Sequence, residues 1–298
     1  MKLLNANALR IILATLLALV MVSCQRLAND DPEQPTGEKS MVKFKISQFE
    51  TMPFSTAQSR SQPVSDLCKQ IDLAVFQGGT RILKATQKAG DKDFGTLSVA
   101  LDPGSYKVVI LAHNQDKTPT TTNADKITFS GDLSDTFSWS NDITVNEGNG
   151  LDVDVSMHRV VAMVRFVTTD NVPDGVSTLQ FYYTGGSSTL DGLTGNGCVN
   201  SRQTVKFSIT DDMKGKTAKF EIYTFPKSDS KELKIEVTGL GPTGNTVCSH
   251  TFENVPVARN QITQFTGALF SDDTVTGDTS SKFKLTTDDE WLTVEKSF

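Results

Sequence analysis

The chain has 298 residues, 37% of them hydrophobic, and a formal net charge of −6 at pH 7. The acidic balance and the lack of a basic stripe argue against nucleic-acid binding, which depends on lysine and arginine against phosphates. The length suffices for two domains of ordinary size.

The first 23 residues have the features of an export signal. Lys2 and Arg10 form a positive head, and residues 11–22 are a run of about a dozen apolar residues. At roughly 1.5 Å per residue, this run is too short to cross roughly 30 Å of hydrocarbon. Ser23 supplies the small residue before a cut site, so we predict a secretory signal peptide over residues 1–23. Its removal leaves about 275 residues and takes the formal charge from −6 to −8, because both cations are lost.

Cys24 follows the predicted cut site, and "MVSC" resembles the bacterial lipobox, in which the cysteine is lipidated and becomes the new N-terminus. Met21 stands where leucine is usual. Several acyl chains, at about 0.8 kcal/mol per buried methylene, form a stable membrane anchor. Residues 24–40 are then a lipidated N-terminus and flexible polar tether, whose "DDPE" is similar to the outer-face signal of some bacteroidete lipoproteins. The alternative is a non-lipidated signal peptide with Cys24 free or in a disulfide.

From residue 41 onward the sequence is typical of β-structure. "MVKFKISQF" alternates Val42, Phe44 and Ile46 with polar residues. "IDLAVFQ" and "TRILKAT" flank a Gly-Gly turn and predict a hairpin. Further strands are predicted at "GTLSVAL", "SYKVVILAH", "KITF", "NDITV" and "LDVDVSM", with a polar loop over residues 114–125. We therefore predict an antiparallel β-sandwich over residues 41–157.

The second half repeats the plan and predicts another sandwich over residues 158–298. "RVVAMVRFV" is nearly continuous in apolar residues, as in a strand buried on both faces or passing between domains. Strands are then predicted at "STLQFYYT", "TVKFSIT", "TAKFEIYTF", "LKIEVTG", "TVCSHTF" and "ITQFTGALF". In the tail, residues 271–298, "KFKLTTDDEWLTVEKSF" is either a terminal strand of its own domain or a strand offered to another chain. The predicted fold class is all-β, with two tandem antiparallel sandwiches.

Residues that carry catalysis or bind metals do not cluster. His113, His158 and His250 fall on different predicted strands and have no metal-ligand spacing. "TGGSST" and "GPTGNT" lack the spacing of a phosphate-binding loop, and no G-x-S-x-G elbow occurs. The adjacent acids of "DDE" in the tail are typical of a solvated turn rather than a glycosidase pair. We predict no enzyme activity, no metal and no cofactor.

Three further cysteines remain after the signal segment, Cys68, Cys198 and Cys248. Any disulfide among them leaves one thiol over. Cys198 and Cys248 fall in the same predicted domain, so their disulfide is the favoured pairing. Three buried, reduced cysteines are the alternative.

Several stretches resemble one family over roughly residues 40–270. They include "DFGTLSVALDPGSYKVVILAHN", "DTFSWSNDITV", "HRVVAMVRFVTTDNVPDGVSTLQFYYTGGSSTLDGLTGNGCVNS" and "VPVARNQITQFTGALF". These are similar to FimB/Mfa-type fimbrial anchor subunits, the lipoproteins of bacteroidete type V pili. The resemblance implies two transthyretin-like β-sandwich domains. It also implies a surface subunit that tethers a pilus to the outer membrane and limits its length.

The resemblance further implies fimbrial subunits as partners, bound by strand addition. Stalk subunits of this system lose their first strand to an arginine-directed protease, and a neighbour's C-terminal strand fills the groove. Arg60 is a candidate cut site, but a surface arginine in a loop is favoured, because an anchor keeps its lipid and its first strand. The candidate partner strand is "DEWLTVEKSF", with Trp291, Leu292, Val294 and Phe298.

Two other functions stay open at this point. A glycan-binding surface lipoprotein would present aromatic residues to sugar rings, and the candidates are Trp139, Trp291, Tyr182 and Tyr183. Aromatic residues at strand spacing are, however, more typical of a core. The other possibility, within the pilus class, is a tip or stalk subunit.

Overall fold

The structure is a computed structural model, and it describes residues 38–50, 64–115, 117–228, 232–270 and 283–288. These residues form 19 β-strands and one four-residue helix, α1 (Val64–Leu67). The predicted all-β class is confirmed. No helix in these ranges has the length and hydropathy of a membrane span.

Nine strands precede residue 160. They are β1 (Ser40–Glu50), β2 (Gln70–Gln77), β3 (Thr80–Lys88), β4 (Thr96–Leu101), β5 (Gly104–His113), β6 (Thr120–Asn123), β7 (Lys126–Thr128), β8 (Thr136–Val145) and β9 (Leu151–Arg159). The strands that follow are β10 (Ala162–Thr168), β11 (Thr178–Thr184), β12 (Thr189–Asp191), β13 (Asn196–Gly197), β14 (Gln203–Ser208), β15 (Lys219–Thr224), β16 (Glu232–Leu240), β17 (Thr246–Pro256), β18 (Ile262–Gly267) and β19 (Lys284–Asp288).

The largest sheet has seven strands in the order β3-β2-β5-β8-β9-β1-β4. Its pairs are antiparallel except β1 and β9, which run parallel. The predicted alternation in β1 is observed, since Val42, Phe44 and Ile46 are buried. Leu83 of β3 and Leu97 of β4, from the two edge strands, pack on the same core. The sheet therefore curls around that core.

Two four-stranded sheets enclose the second core, in the orders β15-β10-β18-β19 and β14-β11-β16-β17. Phe166 lies at its centre, with its ring centroid 5.1 Å from those of Phe181 and Phe252 and 5.4 Å from that of Phe265. Aromatic pairs at such distances contribute about 0.5–1.5 kcal/mol each beyond the burial of their area. Phe181 and Phe252 come from the sheet facing Phe166, so these contacts fasten the two layers together.

A fourth sheet joins strands from both halves of the chain, in the order β13-β12-β7-β6. The core beneath it includes Ile127 and Leu190, both fully buried, and the rings of Phe129 and Phe225, with centroids 5.1 Å apart. The loop predicted over residues 114–125 is thus wrong in part, because it contains β6. The described residues from Glu38 onward fall within one compact unit, and the division into two domains at residue 157/158 stays a prediction.

Arg159, the last residue of β9, ties together segments that are distant in sequence. Its Nε and Nη2 donate to the two carboxylate oxygens of Asp135 at 2.7 and 3.0 Å, and its Nη1 donates to Asn260 Oδ1 at 2.8 Å. The guanidinium lies 4.6 Å from the centroid of the Phe137 ring. Arg159 is almost wholly buried. A buried guanidinium requires a paired and hydrogen-bonded partner, and the bidentate Asp135 carboxylate supplies it.

Asp72 and His113 form a buried polar pair on the neighbouring strands β2 and β5. Asp72 Oδ2 lies 3.0 Å from His113 Nε2, while Thr86 and Gln70 donate to the same carboxylate at 2.5 and 2.7 Å. The Gln115 amide donates to His113 Nδ1 at 3.2 Å, so Nε2 carries the proton. Burial by itself would raise the pKa of Asp72, but the hydrogen bonds from His113, Thr86 and Gln70 outweigh it and lower that pKa.

Substituting Asp72→Asn tests this network. A carboxyl group whose pKa is lowered by folding stabilises the protein above its unfolded pKa of about 3.9, and this stability is lost as the pH falls through the folded value. We expect the variant to lower the free energy of unfolding by roughly 1–3 kcal/mol at pH 7, and by less below pH ~4. Urea unfolding at a series of pH values measures this difference.

Asp142→Asn is the matched control, because that side chain is 74% exposed and pairs with Lys107 at the surface. Its expected effect is within about 0.5 kcal/mol. A deficit of Asp72→Asn that stays constant between pH 7 and ~3 would contradict the assignment.

Candidate functional site

The three histidines lie apart, as the sequence predicted. His113 belongs to the Asp72 network, His250 Nε2 donates to the Leu269 carbonyl at 2.9 Å, and His158 is exposed near the end of β9. Across the described ranges, no three His, Cys, Asp or Glu side chains are grouped to hold a metal ion. What remains as a candidate site is backbone: the strands and sheet edges that another polypeptide can pair with.

The three described cysteines, Cys68, Cys198 and Cys248, are free thiols, so the disulfide favoured between Cys198 and Cys248 is not formed in the structure. Cys248 is buried on β17, whereas Cys198 is exposed beyond β13. The alternative, three buried reduced cysteines, therefore holds for Cys68 and Cys248 but is wrong for Cys198. Burial, reinforced by the charge of Asp135, raises the pKa of Cys68 to about 12, which makes it a poor nucleophile.

The first strand, β1, is one of two candidate elements and is paired on both of its edges. It pairs antiparallel with β4 through residues 40–45 and parallel with β9 through residues 42–50, with one bulge. Its inner side chains are buried, and Ser40 Oγ donates to the Asn146 carbonyl at 2.8 Å. Withdrawing β1 would leave β4 and β9 with unpaired backbone groups beside an exposed apolar core.

The C-terminal strand, β19, is the second candidate element. It lies at the edge of its sheet and pairs antiparallel with β18, from Ile262 opposite Asp288 to Thr266 opposite Lys284. These residues are therefore a terminal strand of their own domain, one of the two alternatives for the tail. The predicted partner strand and the earlier candidate positions lie outside the described residues: Cys24, Arg60, Trp291, Leu292, Val294 and Phe298.

Phe283 fastens the start of β19 to the sandwich. Its side chain is only 7% exposed, and its ring centroid lies 4.9 Å from that of Phe252 and 5.8 Å from that of His250. Gly267 makes room for it, because a Cβ there would lie 2.5 Å from the ring. A single aromatic side chain thus seals this edge of the core.

Three of the aromatic residues considered for sugar binding, Trp139, Tyr182 and Tyr183, lie within the described residues, and none of the three is fully exposed. Tyr183 is 1% exposed, and its hydroxyl donates to the Tyr223 carbonyl at 2.8 Å. Trp139 is half-buried and packs edge-on against Phe44, with centroids 6.2 Å apart. These two side chains belong to the cores, as strand spacing favoured.

Fold and edges together define the class, an all-β sandwich protein whose structural neighbours are proposed adhesins and fimbrial proteins. A proposed adhesin from Bacteroides ovatus ATCC 8483 matches at a TM-score of 0.50 and 11% identity, over 81% of this chain and 94% of that chain. A second B. ovatus structure, also a proposed adhesin, has a TM-score of 0.50 and 14% identity, over 77% and 88% of the two chains. Identities this low establish a shared fold only.

The chain belongs to the family of unknown function DUF6562, which matches residues 58–293. Comparison with curated protein sequences gives no significant match. The structural neighbours also include the fimbrial anchor protein Mfa2 from Porphyromonas gingivalis, with a TM-score of 0.46 and 11% identity, over 76% of this chain and 90% of that chain.

Replacing Phe283 with alanine tests how β19 is held. We expect the free energy of unfolding to fall by up to about 3 kcal/mol, because the variant leaves a cavity beside Phe252. Amide exchange in β18 should accelerate at the same time, because β19 is released from its edge. Leu285→Ala, at a position 46% exposed, is the control and should change stability by less than about 0.5 kcal/mol. Unchanged exchange in β18 would refute the anchoring role of Phe283.

Proposed function

We propose that the protein is a surface lipoprotein that serves as an anchor or accessory subunit of a bacteroidete type V pilus. The fold shared with proposed adhesins supports a surface protein of this kind. The resemblance of "MVSC" to a lipobox supports attachment to the outer membrane through Cys24. In this proposal the protein is not an enzyme and acts through its partners.

The observation that carries the proposal is the position of β1. The tether of residues 24–40 leads into β1, and β1 is paired on both edges within the seven-stranded sheet. A force on the tether acts along β1, so the backbone hydrogen bonds on both sides share the load. They must break together before the strand can slide. A strand held in this way is suited to link a membrane anchor to a filament.

The partner is then another pilus subunit, bound by strand addition. The segment that follows β19 is the proposed binding element on this chain. Phe283 and the pairing with β18 hold β19 against the sandwich, and the proposed binding element, residues 289–298, follows β19 in the sequence. In strand addition, main-chain hydrogen bonds supply affinity, while side chains such as Trp291 and Leu292 supply selectivity.

Substituting Cys24→Ala tests the lipid anchor. Metabolic labelling with an alkyne analogue of palmitate should mark the unaltered chain and leave the variant unmarked, because the acyl chains require the thiol. The variant should also disappear from the outer-membrane fraction, whether it is released or held back by an uncut signal peptide. Cys198→Ala is the control, since this exposed thiol should leave both readouts unchanged. A labelled variant that still reaches the outer membrane refutes the anchor.

Deleting residues 289–298 tests the partner segment. The deletion leaves β19 and its pairing with β18 intact, so we expect the truncated chain to keep its free energy of unfolding within about 0.5 kcal/mol. Pilus retention should be lost, which immunogold labelling of cells would reveal. Replacing Trp291, Leu292, Val294 and Phe298 with serine is the length-matched variant and should give the same loss. Normal piliation in both variants would disprove this role.

A further inference from the structure

The edges of the sheets are possible binding sites, because the unpaired N–H and C=O groups of an edge strand can pair with another chain unless they are shielded. Most of the edge strands with five or more described residues carry a shielding feature. In β3 there is a bulge at Ile82 and the charges of Arg81, Lys84 and Lys88; β17 has two bulges. Charged residues stand in the other three, namely Lys206 of β14, Lys219 and Glu221 of β15, and Lys284 and Asp288 of β19.

β4 differs from all of these strands. Its sequence, "TLSVAL", contains no charged residue, proline or glycine, and it pairs with β1 in an unbroken register. Leu97, Val99 and Leu101 are buried, whereas Ser98 and Ala100 are exposed. The outer side chains are small, so they leave the backbone of this edge accessible.

The pairing pattern shows which backbone groups face outward. The Ile46 amide donates to the Gly95 carbonyl at 2.9 Å, so Gly95 and every second residue after it bond to β1. The N–H and C=O groups of Thr96, Ser98 and Ala100 therefore point away from β1. Thr96 is satisfied locally, by the Asp93 carbonyl at 2.8 Å and by Gln87 Nε2 at 2.8 Å. In the described ranges, Ser98 and Ala100 have no partner strand on that side.

The open edge borders a gap in the curled sheet. Gln87 of β3 bridges to the start of β4. Its Nε2 donates to the Thr96 carbonyl, and its Oε1 accepts from the Gly95 amide at 3.1 Å. Beyond this bridge β3 and β4 are not paired, since they are the two ends of the sheet order. Leu83 and Ala85 of β3 are only half-buried, although they pack on the same core as β4. An added strand would cover them while bonding to Ser98 and Ala100.

The charges beside the gap favour one kind of strand. Lys43 and Lys45 of β1 lie in register beside Ser98 and Thr96, on the exposed outer face. Asp152 and Asp154 of β9 lie beside the same lysines on their other side. A partner with acidic residues on its outer face would place negative charge on one side of the uncharged strand β4. The lysines of β1 would then lie between these acidic residues and the aspartates of β9. Small side chains at Ser98 and Ala100 leave room for lysine and glutamate to approach each other.

We propose that the β4 edge accepts an extended segment of another pilus subunit, with apolar residues facing the core and acidic residues alternating with them. This β-augmentation uses the outward backbone groups of Ser98 and Ala100 for affinity and the two lysines for selectivity. The inference rests on the proposed function only in naming a pilus subunit as the source of the strand. Binding of a synthetic strand tests the edge by itself and is independent of Cys24 and residues 289–298.

The test uses the purified full chain and the fluorescein-labelled peptide TVEVEVT, with fluorescence anisotropy as the readout. We expect saturable binding that weakens with salt, and the charge-reversed TVKVKVT should bind at least about tenfold more weakly. Ala100→Pro should reduce binding about tenfold or more, because it removes one outward donor. The variant should still fold, since the amide that it removes points away from β1 and an edge strand tolerates proline there.

Thr204→Lys is the matched control, an exposed position on the edge strand β14, and should leave binding unchanged. Hydrogen exchange supplies the second readout: the Ser98 and Ala100 amides should exchange fast in the free protein and slowly with TVEVEVT. Protected amides in the free protein would mean that the edge is already covered, and would overturn the proposal. So would peptide binding that Ala100→Pro leaves intact, no detectable binding, or a dimer in sedimentation that Ala100→Pro dissociates, which would make a second copy the occupant.

Discussion

Backbone groups at the edges of β-sheets must be paired, covered or shielded, and the architecture of this protein follows from that constraint. Strand β1 lies between β9 and β4 and pairs with one edge of each. In the sheet β15-β10-β18-β19, β19 pairs with β18, and Phe283 packs on the core beside them. A bulge and cationic side chains shield β3. The backbone groups of the interior strands are thus hydrogen-bonded to neighbouring strands, and another polypeptide can pair only at an edge strand.

The same constraint connects the fold to a role at the cell surface. The described residues contain no group of side chains suited to hold a metal ion, but their main chain still offers specific hydrogen-bonding chemistry. Main-chain pairing is directional and cumulative, so one strand held on both edges resists a pull along its length. In the proposed function, a covalent lipid would supply attachment on one side, and strand addition would supply it on the other. The proposed anchor function needs nothing more elaborate than these two links.

Transmission of load between the two halves depends on how they are joined. β6 and β7 share a sheet with β12 and β13, and Phe129 packs against Phe225 in the core beneath. Arg159 adds a bidentate bond to Asp135 and a further bond to Asn260. Because the crossing involves a core and a buried ion pair rather than a bare linker, the halves are expected to move together. Their separation into independent domains is still a prediction.

The sequence alone determined the all-β class and most of the strands, because side-chain alternation and turn residues are local signals. It also predicted the signal segment and Cys24, which lie outside the described residues. Only the tertiary structure decided that Thr120–Asn123 is a strand, that Cys198 and Cys248 are unbonded, and that residues 284–288 pair with their own sandwich. It alone distinguished β4 from the shielded edges. Each of these depends on partners that are distant along the chain, and alternation within a segment carries no information about which strand, if any, lies beside it.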